Sequence, residues 1–179
     1  LHTLSASYGN PAHLFALPMD GSGAQTPIKV AIAPGLRATD RAYAPGKMAY
    51  IDDRKLYAAR LDGSDLAKPI LIAQVDPGWE ITSPRWLTGG EALAWSVRST
   101  AGNTRMVYVG AADGSEAAKP RKQLVTDGPA EFVAAELADG RLVVRGGDNR
   151  LYAISTAASS TTGPLPPVVL TPGGFIADS

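Results

Sequence analysis

The 179-residue chain contains no cysteine. Disulfide frameworks, thiolate nucleophiles and cysteine-ligated zinc are therefore excluded. Histidine is nearly as scarce: His2 and His13 are the only two, and their spacing fits no metal-binding His-x-x-x-His pattern. Neither sign of charge is in excess, because 17 Lys and Arg balance 17 Asp and Glu. A general nucleic-acid binder carries a basic surplus to neutralise phosphates, so no nucleic-acid partner is expected. Long apolar runs are missing as well. The stretches that exist are a few residues long, as in Leu93 to Trp95, and no membrane insertion is expected from them. Disorder is excluded by the opposite balance, 45% hydrophobic against 19% charged residues. Turn formers are abundant, with 19 glycines and 14 prolines, which implies many short elements. The chain begins at Leu1 with no visible signal peptide, which reads as a processed protein or a fragment.

An internal repeat organises the chain. Leu14-Phe15-Ala16, Leu56-Tyr57-Ala58, Val107-Tyr108-Val109 and Leu151-Tyr152-Ala153 align without gaps. Five residues after the aromatic come Asp20-Gly21-Ser22, Asp62-Gly63-Ser64 and Asp113-Gly114-Ser115, with Ala157 at that offset in the degenerate fourth copy. Twelve residues after it stands Pro27, Pro69, Pro120 or Pro164, followed by an apolar stretch. The aromatics lie 42, 51 and 44 residues apart, a period that suits a four-stranded propeller blade. The longest interval accommodates the polar loop Ser99 to Thr104.

Each unit resolves into short strands A to D. The third predicts A at Ser83–Leu87, B at Ala92–Arg98, C at Arg105–Ala111 and D at Lys122–Val125. Alternation of Leu93, Trp95 and Val97 with Ala94, Ser96 and Arg98 has the strand period of two. The second predicts A near Ala42–Ala44, B at Met48–Ile51, C at Lys55–Leu61 and D at Ile70–Val75. The fourth predicts A at Phe132–Glu136, B at Leu142–Arg145, C at Arg150–Ser155 and D at Val168–Leu170. The first lacks strand A, with B near Leu1–Ser7, C at His13–Leu17 and D at Ile28–Ile32. The expected fold is all-β, a β-propeller of four-stranded antiparallel blades. Its repeats run over about 1–35, 36–78, 79–128 and 129–174, with a closing strand in 175–179.

These residues resemble the TolB-type, WD40-like propeller repeat. Ser83-Pro84-Arg85-Trp86 matches its opening, while Tyr43-Ala44-Pro45-Gly46 and Ala138-Asp139-Gly140 are partial versions of its turn. The resemblance covers nearly the whole chain. It implies a location outside the cytoplasm, in a bacterial periplasm or extracellular space. It also implies a choice of roles, since fold does not fix function. The first is a non-catalytic module that binds a protein or peptide at its channel face. The alternatives are the gating propeller of a prolyl-oligopeptidase-like serine hydrolase, or part of a propeller lyase. A propeller of this family closes with six or more blades. The units here are expected to belong to a longer protein, to close as a four-bladed ring, or to close by homodimerisation.

No residue set reads as catalytic. Gly-x-Ser-x-Gly is absent, and Ser22, Ser64 and Ser115 sit in the repeated turns. His13 reads as a solvent-facing strand residue. Asp52-Asp53 is a pair of the kind that contributes oxygens to calcium. Without an Asp-x-Asp-x-Asp-Gly loop it reads as a tight charged hairpin, and neither a metal nor another cofactor is expected. Gly146 to Asn149 reads as the equivalent hairpin. Trp86 and Trp95 are expected to fill the space between blades. Trp79, placed in the connection between strand D and the next strand A, is a candidate contact anchor. With strand A innermost, Arg37, Arg41, Glu80, Arg85 and Glu131 join Trp79 as candidates for partner binding around the channel mouth.

Overall fold

A computed structural model of the chain describes residues 2–6, 12–17, 28–33, 41–65, 67–102, 104–118, 121–123, 132–145, 150–155 and 168–171. Every regular element among them is a strand, and neighbouring strands run antiparallel in four sheets. The first sheet has three strands, β1 (His2–Ala6), β2 (Ala12–Leu17) and β3 (Ile28–Ala33). The second joins β4 (Arg41–Ala44), β5 (Lys47–Asp52), β6 (Lys55–Arg60) and β7 (Ile70–Gln74). The third joins β8 (Trp79–Trp86), β9 (Ala92–Ser99), β10 (Arg105–Ala111) and β11 (Arg121–Gln123). The fourth joins β12 (Phe132–Glu136), β13 (Leu142–Arg145), β14 (Leu151–Ile154) and β15 (Val168–Val169). Each sheet is a meander in chain order, and each coincides with one sequence repeat. The closing strand expected in 175–179 and the hairpin at 146–149 lie outside the described residues, as does the turn at Asp20 to Ser22.

Local chemistry explains the hairpins. In the Asp62 and Asp113 turns the carboxylate accepts the amide of the serine two residues on at 2.9 Å, and also its hydroxyl. Gly63 and Gly114 supply φ of +78° and +76° that L side chains avoid. Asp52 and Lys55 face each other across the β5–β6 turn, with Asp53 at φ +54° and its carboxylate 3.3 Å from Arg54 Nε. This is the charged hairpin expected there.

The core lies between sheets. One cluster joins Ala49, Ile51, Leu56 and Ile72 of the second sheet to Ile81, Leu93, Trp95 and Val97 of the third. Another joins Leu87, Ala94, Val107 and Val109 of the third to Leu142, Val144, Tyr152 and Ile154 of the fourth. The third sheet therefore packs on both faces, with Leu93, Trp95 and Val97 of β9 toward the second sheet and Ala94 with Val107 and Val109 of β10 toward the fourth. In the second and third sheets the repeat aromatic on the third strand stacks on its cross-strand partner, Tyr57 on Tyr50 at 5.5 Å and Tyr108 on Trp95 at 6.1 Å between centroids, whereas Tyr152 of the fourth sheet faces Val144. Trp95 is buried between sheets, as expected. Trp86 crosses the same border, its Nε1 donating to Ala42 O at 3.3 Å. The second and third sheets touch most closely through their first strands, β4 against β8, and β12 of the fourth sheet lies against both β8 and β9.

One expected boundary is corrected. Strand A of the third repeat was expected to begin at Ser83, leaving Trp79 in a loop. The structure starts β8 at Trp79, paired with Ser99, and continues through Glu80 opposite Arg98. Ser83-Pro84 then lies inside the strand, where a bulge between Thr82 and Arg85 interrupts the register. Proline has no amide to donate to a ladder, and the bulge removes that demand. Ser83 occupies the left-handed region at φ +51°.

Candidate functional site

The two ends of the sheets carry different clefts. At the first end lie the start of β8 and the β9–β10 turn. Here Asp76-Pro77-Gly78-Trp79 forms a tight turn, the Trp79 amide donating to Asp76 O at 3.1 Å. Proline in its second place and Gly78 at φ +90° in its third are the requirements of a type II turn. Thr100 ties the neighbouring turn to it, its amide donating to Gly78 O at 2.9 Å and its hydroxyl at 3.1 Å. The rigid turn delivers the half-buried Trp79 to a cleft of about 240 Å³ between the second and third sheets. Trp95, Met106 and Tyr108 supply its aromatic and thioether wall, and Gln74 and Asp76 its polar rim. Burial raises the Tyr108 phenol above its usual pKa, so it stays a neutral donor.

The sequence-predicted residues divide as follows. Trp79 and Glu80 open β8 at the first end, whereas Arg41 opens the shorter β4, whose next residue, Ala42, accepts from Trp86 at the far end of β8. Glu80 is committed to Arg98, with Oε2 accepting from Nη2 at 2.7 Å and Nε at 2.8 Å. Arg85 is exposed but stands at the other end of β8, roughly 15 Å along the strand at about 3.3 Å per residue. Arg37 and Glu131 lie outside the described residues. The structure therefore keeps Trp79 and Glu80 together at the first end and separates Arg41 and Arg85 from them.

At the second end, formed by the β4–β5 and β8–β9 turns, a cleft of about 410 Å³ touches three sheets. Tyr43 and Lys47 come from the second sheet, Trp86 and Thr88 from the third and Glu136 from the fourth. Glu136 Oε2 accepts from the Thr88 amide at 2.6 Å and from its hydroxyl at 2.9 Å, clamping the fourth sheet to the β8–β9 turn. Lys47 lies 5.9 Å over the Trp86 ring and donates to Gly90 O at 3.1 Å. A smaller cleft of about 200 Å³ shares Lys47 and Trp86 and runs outward past Glu91, Asp65 and Asp113.

Sequence reasoning missed Tyr43, Lys47 and Glu136, which belong to different repeats. It also missed the acid that follows the Asp62-Gly63-Ser64 and Asp113-Gly114-Ser115 turns, where the first repeat has Gly23. Asp65 accepts the Arg60 amide at 2.8 Å and its guanidinium at 2.9 Å. Glu116 accepts the Ala111 amide at 3.0 Å in the equivalent place. Both cap the last amide of a third strand, and the common Asp-Gly-Ser-acid pattern is the signal that reveals them. The Arg60 hydrogen bonds hold the Asp65 carboxyl below the usual carboxylate range. Among the described residues no three His, Asp or Glu side chains gather to hold a metal ion. No family model matches the chain, and no curated protein is significantly similar to it.

Proposed function

We propose that the sheets are blades of a β-propeller and that the chain is a non-catalytic module binding a protein or peptide segment at the first end. Meandering sheets that follow one another in chain order, with first strand β4 against β8 and β12 against β8 and β9, support the propeller reading. The observation that carries the functional reading is the Trp79 cleft. It pairs a half-buried tryptophan with buried aromatic walls and a sparse polar rim, the composition of an interface anchor pocket. At about 240 Å³ it falls below the roughly 300–1,000 Å³ typical of small-molecule sites. It suits one apolar or aromatic side chain presented by a partner, with the Glu80–Arg98 pair supplying polar contacts beside it.

Selection of displayed peptides against the intact chain tests this. Enriched peptides are expected to share one large apolar residue, and Trp79→Ala to weaken a selected peptide at least tenfold, the usual cost of removing a central tryptophan. Thermal melting of the variant separates loss of the anchor from loss of fold. Peptides that bind Trp79→Ala as tightly as the parent protein would overturn the assignment.

A further inference from the structure

The two clefts of the second end meet at Lys47 and Trp86, so they form one groove from the three-sheet junction outward between the second and third sheets. Its inner part presents Tyr43, 48% exposed, together with the partly exposed Trp86. Its charges are unequal. Arg60 is neutralised by Asp65 at 2.9 Å, and Lys47 reaches Glu91 at 3.5 Å. Asp113 and Glu136 remain. Their carboxylates accept from Ser115 and Thr88, and neither is paired with a cation among the described residues. Hydrogen bonds from the Ser115 hydroxyl and amide keep the Asp113 carboxyl below its usual pKa, so it carries its charge at neutral pH. The groove thus combines aromatic faces, which attract cations, with two uncompensated carboxylates near its opposite ends.

We infer that this groove binds an extended peptide segment bearing at least two Lys or Arg residues. One cation lies over the Tyr43 ring and pairs with Glu136 at the inner end. A second meets Asp113 at the outer end. Lys47 discriminates between ligands: held at the middle by Gly90 and Glu91, it repels a third cation there and favours an uncharged residue between the two basic ones. This surface is separate from the Trp79 cleft, and the two assignments fail independently.

The experiment is fluorescence anisotropy with labelled ten-residue peptides. One carries two Arg residues separated by Gly-Ser spacers, one the same spacers with Glu, and one neither charge. Only the Arg peptide is expected to bind, and its affinity to fall severalfold between about 0.05 M and 0.3 M salt as the charges are screened. Glu136→Gln and Asp113→Asn are each expected to weaken it about threefold or more, and Tyr43→Ala comparably. Trp79→Ala leaves it unchanged. Asp113 is an exposed turn residue and Glu136 ends β12 half-buried against Thr88, so circular dichroism melts check that both charge variants fold. Equal binding of the Arg and Glu peptides, or no binding of any peptide, overturns the inference. So does Arg-peptide binding that survives Glu136→Gln and Asp113→Asn together but is lost in Trp79→Ala.

Discussion

Gly114 reports on the border between the second and third sheets, and its replacement by alanine separates two costs. The first is conformational. At φ +76° an L residue loses about 1–2 kcal/mol through its Cβ. The second is steric and spans the border. A Cβ at position 114 would stand 2.7 Å from Leu71 O and 2.9 Å from Ile70 Cγ2, both on β7. The first of these is backbone and cannot rotate away, so the turn or the β7 ladder must shift, at an overpacking cost of about 1–3 kcal/mol. Gly46 is the control. It adopts φ +71° in the β4–β5 turn, and a Cβ there meets nothing within 4 Å. Gly46→Ala therefore carries only the first cost. At about 2–4 °C per kcal/mol for a domain of this size, Gly46→Ala should lower the melting temperature by roughly 4 °C and Gly114→Ala by roughly 10 °C. Differential scanning calorimetry on both variants measures the difference. Equal shifts would refute the close approach of the Asp-Gly-Ser turn to the neighbouring sheet.

Hydrogen bonds from Ser64, Arg60, Ser115 and Arg141 hold the Asp62, Asp65, Asp113 and Asp139 carboxyls below the ordinary range. Their stabilisation is complete above the unfolded value of about 4 and is lost as pH falls through the lower folded values. The melting temperature should thus change little from pH 7 to 5 and drop below about pH 4, with a smaller drop in Asp65→Asn; a loss concentrated between pH 7 and 5 would contradict this. Ser96 is 1% exposed, and its hydroxyl has no hydrogen-bond partner among the described residues. Ser96→Ala removes an unsatisfied buried group and should raise stability by up to about 1 kcal/mol in urea unfolding, whereas destabilisation beyond 1 kcal/mol would mean that the hydroxyl is in fact satisfied.

Strands were legible in the sequence because their causes are local. Period-two alternation in β9 and Asp-Gly-Ser chemistry at Asp62 and Asp113 act within a few residues of the chain. The same locality explains the displaced start of β8. Ser83-Pro84 has the look of a strand opening, since proline is tolerated at a first position. The β8–β9 ladder nevertheless extends to Trp79↔Ser99, because the Pro77-Gly78 turn aims the chain back along β9 and a bulge absorbs the proline. The bulge is fixed by pairing with another strand, which the eight residues of β8 do not encode alone.

The clefts were less legible, for a reason that the repeat itself creates. Repeat phase assigns equivalent positions to the same strand, but a cleft draws on different strands of successive sheets. Trp86, Lys47 and Glu136 meet although they occupy the end of a first strand, the start of a second strand and the end of another first strand. Degeneracy between repeats is then informative. Where the third repeat has Trp86 at the end of its first strand, the second has Tyr43 near the same end and the fourth has Glu136. A strictly regular array would repeat one residue type at this level around the sheets. The observed set instead places two aromatic rings and a carboxylate on one cleft, and it is this divergence, more than the shared fold, that gives the second end a chemistry of its own.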